Sequence, residues 1–280
     1  MPRTSRNMQL FALRQPPPEA LAVAGGHYCL VRVFKHDFFA ATCLYEAAGP
    51  AAFGQIVVKF GRTQPFCGLP MAWYGRLLQW HEGGIYAALA DVAGVPRWVG
   101  CVGRTAYAIE YIDAVPLDHL DAPPPGFFDR LLDLVGEVHR RGVAYCDANK
   151  RSNILVDPEG RPFLIDYQIA LRLGDRLPRP LRAVLAAAVR YMQRRDLYHF
   201  YKHKRRLAPD EMTPLEAELS RRRGPLHALH RKLTDPWRRF RRRFLRGQDA
   251  AGRLESPTAD REDHDQPEKA TWRERGGDQA

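Results

Sequence analysis

The feature that most constrains this chain is a change of texture at PLDHLDAPPPG, residues 116–126. Before it, short apolar runs alternate with turns. HYCLVRVFKHD, TCLYEAA and QIVVKF read as three consecutive strands, and PRWVGCVG and TAYAIEYI as two more. A helical pattern, Arg76 to Val92, is inserted among them, weakened by Gly83-Gly84. After it, FFDRLLDLVGEVHRRG places Phe128, Leu131, Leu132, Val135 and Val138 on one helical face and stops at Gly142. SNILVDPEG and RPFLIDY form a hairpin-like pair, and the chain beyond Pro180 reads as helix. The pattern predicts an α+β chain with a β-rich lobe followed by a helical lobe.

Charge divides the chain differently. Residues 1–171 carry 16 basic and 16 acidic side chains, residues 172–248 carry 22 and 7, and residues 249–280 carry 5 and 9. The net charge of +11 therefore sits in one C-terminal stretch, and it predicts an anionic partner. The expected organisation is a flexible leader (1–26), the β-rich lobe (27–112), the helical lobe (113–207), a basic helical extension (208–248) and a disordered acidic tail (249–280). Within the extension, PWRRFRRRFLRG sets Trp237, Phe240 and Phe244 on one face among arginines. That suits a helix lying on an anionic membrane leaflet, packing against the lobe, or, less favoured, nucleic acid. Five cysteines without a C-x-x-C pair exclude a disulfide framework and a cysteine zinc site, and suggest a cytoplasmic protein. The longest aliphatic run, Ala183 to Val189, is too short to span a bilayer.

The chemistry is concentrated in AYCDANKRSNILVDPEGRPFLIDYQ, residues 144–168. Asn153 precedes one strand and Asp166 follows the next, so the pair should stand side by side at one edge. An amide oxygen and a carboxylate are hard ligands of the kind Mg²⁺ takes. Asp147, on the loop upstream, is placed to accept a proton from a substrate hydroxyl. Cys146 beside it reads as a packed thiol rather than a nucleophile.

This arrangement resembles the protein-kinase-like superfamily over roughly residues 28–200. Tyr145-Cys146-Asp147 stands where that family has H-R-D, and Asp166-Tyr167-Gln168 where it has D-F-G. The resemblance implies a bilobal fold with ATP in the cleft. Lys59 would grip the phosphates and pair with Glu82, and Glu110-Tyr111-Ile112 would form the hinge whose backbone holds adenine. Asn153 and Asp166 would hold Mg²⁺, with Asp147 as the catalytic base and Lys150 neutralising the transferring phosphoryl group. Three departures stand out. KHDFFAAT replaces the glycine-rich phosphate loop, leaving Thr42, Lys35 and His36 as its substitutes. Asp147 and Asn153 are six residues apart rather than five, which predicts a bulge. The segment after Asp166 is short and lacks A-P-E. This compact form is similar to bacterial lipopolysaccharide-core (heptose or Kdo) kinases and to RIO-type kinases. It implies a sugar-lipid acceptor at the inner membrane face in the first case and a protein acceptor in the second. A catalytically inactive binding module is the remaining alternative.

Overall fold

The computed structural model describes residues 10–174 and 178–221, together with Arg243. The chain is α+β and divides into two compact units. The first comprises, of the described residues, 10–80, 99–111 and Arg243; the second comprises 81–98, 112–174 and 178–221. A β-sheet unit and a largely helical unit are what the resemblance implied.

The sheet contains β1 (Ala20–Val23), β2 (Gly26–His36), β3 (Ala40–Ala47), β4 (Gln55–Gly61), β5 (Trp98–Val102) and β6 (Ala106–Glu110), in the order β1-β2-β3-β4-β6-β5. Alternation along β4 explains its two faces. Ile56, Val58 and Phe60 are buried and stand opposite Tyr45, Cys43 and Ala41 of β3, which are also buried. The other face carries Lys59, whose cross-strand neighbours are Thr42 of β3 and Tyr107 of β6.

One expectation is corrected here. Residues 1–26 were expected to form a loose leader, yet Ala20–Val23 is the sixth strand, paired with β2. Phe11 and Ala12 are buried as well. The carbonyl of Ala12 accepts from the N–H groups of Thr63 and Gln64, and the Tyr45 hydroxyl donates to the Pro18 carbonyl at 2.7 Å. The proline run hid a strand whose partner is local but whose anchors are distant.

Helix α1 (Ala72–Ala88) meets β4 through a glycine pair. A Cβ on Gly75 would lie 2.6 Å from the Arg62 carbonyl oxygen, and one on Gly61 would lie 3.0 Å from the Gly75 Cα. The helix passes through Gly83-Gly84 without a break. At Gly83 the reason is packing, because a Cβ there would lie 3.2 Å from the Trp98 ring.

In the second unit, α2 (Phe127–Arg140) buries Phe127, Phe128, Leu131, Leu134, Val135 and Val138; Leu132 is only half-buried. Strands β7 (Val115–Pro116), β9 (Ile154–Val156) and β10 (Pro162–Leu164) form a small sheet, and β8 (Val143–Ala144) pairs with β11 (Leu171–Arg172). Helix α3 (Arg179–Leu207) follows, then α4 (Pro214–Leu219), which opens on a Thr213–Glu216 capping box. Residues 208–221 pack with α3 through Lys204, whose ammonium lies 3.0 Å from Glu216 and 2.8 Å from Asp129. The aromatic–arginine run at 236–245, apart from Arg243, and the acidic tail at 249–280 lie outside the described residues. Among the described residues, no helix is long and apolar enough to cross a membrane.

Candidate active site

The β9–β10 hairpin sets the centre of the site. Its register pairs Ile154 with Leu164, so Asn153 and Ile165 face each other just beyond the ladder. The Ile165 N–H donates to the Asn153 carbonyl at 3.1 Å, which brings Asp166 to the same end as Asn153. Asn153 is buried, and its side-chain amide donates to Asp147 Oδ2 at 2.9 Å. Lys150 Nζ lies 2.8 Å from the same oxygen. The extra residue between Asp147 and Asn153 is taken up in two successive turns. In the first, the Lys150 N–H donates to the Asp147 carbonyl at 3.0 Å; the second is a short 3-10 turn, Arg151–Asn153.

Two backbone conformations at this centre are unusual. Cys146 has φ 67° and Asp166 has φ 61°, in the left-handed region that side chains other than glycine avoid. Such residues cost about 1–3 kcal/mol each and persist where their surroundings over-determine them. Here a column of rings does so: Trp98–Tyr86 at 5.8 Å, Tyr86–Tyr167 at 5.4 Å and Tyr167–Tyr145 at 5.2 Å, ending with Tyr145 on Phe200 at 6.5 Å. Tyr145 precedes Cys146, and Tyr167 follows Asp166. The Tyr145 hydroxyl also donates to the carbonyls of Asn153 and Ile165. The column therefore clamps both loops.

Asp196 on α3 completes the support, and sequence reasoning missed it. It is buried and accepts from the N–H groups of Tyr145 (2.8 Å) and Cys146 (2.9 Å), while His139 Nε2 lies 3.2 Å away. A signal was available: Asp196 is the single carboxylate in the 29 residues of α3. Burial, with Asp196 adding to it, pushes the Cys146 thiol up to about 12, so that thiol is inert near neutral pH.

The remaining predicted residues lie as follows. Glu82 is fully buried in α1, in the second unit with Asp147, Lys150, Asn153, Asp166 and Ile112. Lys59, Thr42 and Glu110 belong to the first unit. Lys35, Thr42 and Lys59 occupy one row across β2, β3 and β4. Glu110 stands opposite Ile56, and the N–H of Tyr111 donates to the Gln55 carbonyl at 3.4 Å.

His36 does not join the row and is withdrawn as a phosphate contact. It is buried, and its Nε2 accepts from the Leu13 N–H at 3.1 Å. The turn that replaces the glycine loop is closed by its own carboxylate. Asp37 Oδ1 accepts from the N–H groups of Phe39 (2.8 Å) and Ala40 (3.0 Å), and Lys35 Nζ lies 3.1 Å from Asp37 Oδ2. Burial raises the Asp37 pKa, but Lys35 and those two N–H groups outweigh it and hold the carboxyl below its usual value. Phe38 stacks under the buried Arg62 guanidinium, 3.9 Å from its ring centre. Two backbone donors of the turn, those of Phe39 and Ala40, are thus already engaged.

Among the described residues, no three His, Cys, Asp or Glu side chains cluster as a cage. Mg²⁺ keeps several waters and takes phosphate oxygens, so a site for it needs few protein donors, and Asn153 and Asp166 carry oxygen donors of the right kind at one end of the hairpin.

No protein-family model matches the chain, and no curated protein matches it. Among solved structures it is similar to Rio2 kinase from Chaetomium thermophilum, at 15% identity and TM-score 0.49, and to that kinase's ADP/Mg²⁺-phosphoaspartate complex, at 16% and 0.45. Both matches cover 68% of this chain and 61% of the kinase, so the chain spans about three-fifths of the kinase's length. Likeness at this level says nothing of activity.

Proposed function

We propose that the chain is an ATP- and Mg²⁺-dependent phosphotransferase acting on a hydroxyl. The observation that carries this reading is Asn153 donating to Asp147 at 2.9 Å while the hairpin brings Asp166 to the same end. In this reading Asp147 orients the acceptor hydroxyl and takes its proton. The hydroxyl oxygen bonds to the γ-phosphorus as the bond to the bridging oxygen breaks, and ADP leaves with that electron pair. Lys150, beside Asp147, offsets negative charge on the phosphoryl group. Asn153 and Asp166 hold Mg²⁺, which neutralises phosphate charge when bound. Lys59, with Glu82 as its partner and Thr42 beside it, holds the ATP phosphates; the backbone of Glu110 and Ile112 receives the adenine.

The preferred acceptor is a sugar hydroxyl of a lipopolysaccharide-core lipid at the cytoplasmic face of the membrane. The short segment after Asp166 and the basic C-terminal stretch support it. A RIO-like serine/threonine protein kinase is the alternative. One observation favours a third reading, a binding module without transfer: the Asp37 carboxylate holds the N–H groups of Phe39 and Ala40 in the turn that replaces the glycine-rich loop.

The test is the thermal shift of the protein with ATP, with and without Mg²⁺, for wild type and Asp166→Asn. The expected result is a Mg²⁺-dependent stabilisation that the variant loses. No shift in wild type, or the same shift in the variant, overturns the phosphotransferase reading. γ-Phosphate transfer to an envelope lipid extract against a protein panel then separates the two acceptors.

A further inference from the structure

Helix α1 is apolar on two opposite sides. Leu78, Ile85 and Tyr86 are buried along one of them. The other carries Trp73, Leu77 and Trp80, spaced by four and three residues and so in one stripe, yet these are 53%, 46% and 75% exposed. A helix that is apolar all round is ordinarily covered all round. Single exposed hydrophobic residues need no explanation, but two tryptophans and a leucine in register do.

The approach to the helix extends this surface. Phe66 and Leu69 exchange backbone hydrogen bonds, each at 3.0 Å, across a two-residue turn in which Cys67 (φ 50°) and Gly68 (φ 79°) are both left-handed. The Phe66 ring stands edge-on to Phe38, with 5.0 Å between centres, and anchors the turn. The turn thereby holds out Leu69, 65% exposed, just before α1 begins. All four exposed side chains belong to the first unit.

Charge chooses among the occupants such a face could have. Residues 62–81 contain no Asp or Glu. Arg76 is exposed within the stripe, between Trp73 and Leu77, and among the described residues it meets no carboxylate. A second copy seated here would set the same patch against itself, Arg76 included, and this segment would bring no acid to meet it. An anionic bilayer supplies both things the stripe lacks, apolar depth for the rings and phosphate for the guanidinium. Tryptophan suits the headgroup boundary in particular, having a large apolar body and one N–H donor.

We propose that this face of α1, with the Leu69 turn at its N-terminal end, docks the protein on an anionic phospholipid surface. Leu69, Trp73, Leu77 and Trp80 enter the headgroup boundary, and Arg76 meets lipid phosphate. The contact is distinct from the basic stretch at 172–248. It needs neither nucleotide nor transfer, so its failure would leave the phosphotransferase reading untouched.

The test uses the full chain at low salt, with vesicles of phosphatidylcholine alone or mixed with phosphatidylglycerol. Wild type should co-sediment with the mixed vesicles in preference to phosphatidylcholine alone. Leu77→Glu and Trp80→Glu should each weaken that binding by about tenfold, the scale of withdrawing one large apolar side chain. Their thermal melts should match wild type, because both side chains are exposed; Trp73→Gln replaces either variant that melts early. Trp80→Phe should keep most of the binding but lose part of the blue shift in tryptophan fluorescence that the vesicles produce. The inference is overturned if wild type ignores the mixed vesicles, if it binds both compositions alike, or if the variants bind as wild type does. That last result would assign the binding to the basic C-terminal stretch. It is also overturned if, without lipid, wild type sediments as a dimer and Leu77→Glu as a monomer, since the face would then belong to a second copy. The Mg²⁺–ATP thermal shift of Leu77→Glu should equal that of wild type, which keeps a failure of docking apart from a failure of nucleotide binding.

Discussion

Replacing Asp196 with Ala should be among the most damaging single changes near the site. The carboxylate is about 1% exposed and accepts from two backbone N–H groups, at 2.8 and 2.9 Å. Removing it leaves both donors buried and unmet, at about 1–3 kcal/mol each. The left-handed Cys146 loses one of its anchors at the same time. The expected loss is therefore about 2–6 kcal/mol, a large share of the roughly 5–15 kcal/mol available to a folded domain. Asp196→Asn keeps an acceptor oxygen and should cost about 1–2 kcal/mol. Urea unfolding measures the cost, and amide hydrogen exchange at Tyr145 and Cys146 locates it. Exchange there should quicken in Asp196→Ala beyond the global change, and phosphoryl transfer should fall more than Mg²⁺–ATP binding. A loss under about 1 kcal/mol, with both amides still protected, would refute the idea that Asp196 holds the catalytic loop.

Two further outcomes follow from other parts of the structure. Burial lowers the His203 pKa from 6.5 to about 4. The unfolded chain therefore binds a proton that the folded chain refuses, and stability should fall as pH drops from about 6.5 towards 4, by at most about 3 kcal/mol. His203→Gln should flatten that part of the urea-midpoint profile, and an unchanged slope would assign the effect elsewhere. Gly75→Ala places a Cβ 2.6 Å from the Arg62 carbonyl; overpacking should cost about 1–3 kcal/mol although Ala is the better helix former, and a thermal melt at or above wild type would show that α1 can shift freely.

Local pattern made much of this legible. Strand alternation put Lys59 on the face opposite Val58, and the turn DPEG between two apolar triplets aligned Asn153 with Asp166. The α2 face was largely readable because its period is local, although Phe127 and Leu134 are buried and Leu132 is only half-buried. Where the reading fell short, the deciding contact was remote. The strand at Ala20 went unread because Pro16-Pro17-Pro18 precedes it and the segment is anchored by residues 27 to 52 positions away, although ALAV before Gly25-Gly26 carries a hairpin signal. His36 looked available beside Lys35, but strand pairing turned it inward to the Leu13 amide.

By itself the sequence determined most of the long strands and helices, the location of the surplus charge and the spacing of Asp147, Asn153 and Asp166. These rest on periods of two and 3.6 residues and on turn chemistry, all written within a few neighbours. Tertiary structure alone decided which carboxylates are taken up by distant backbone donors. Asp196 supports a loop 50 residues earlier, and Asp37 closes the turn between β2 and β3. It also buried Lys204 of α3 between Asp129 and Glu216. The physical reason is common to all of these. A charge or a donor acquires its role from the partner it meets on burial, and those partners are brought together by packing rather than by proximity in the chain.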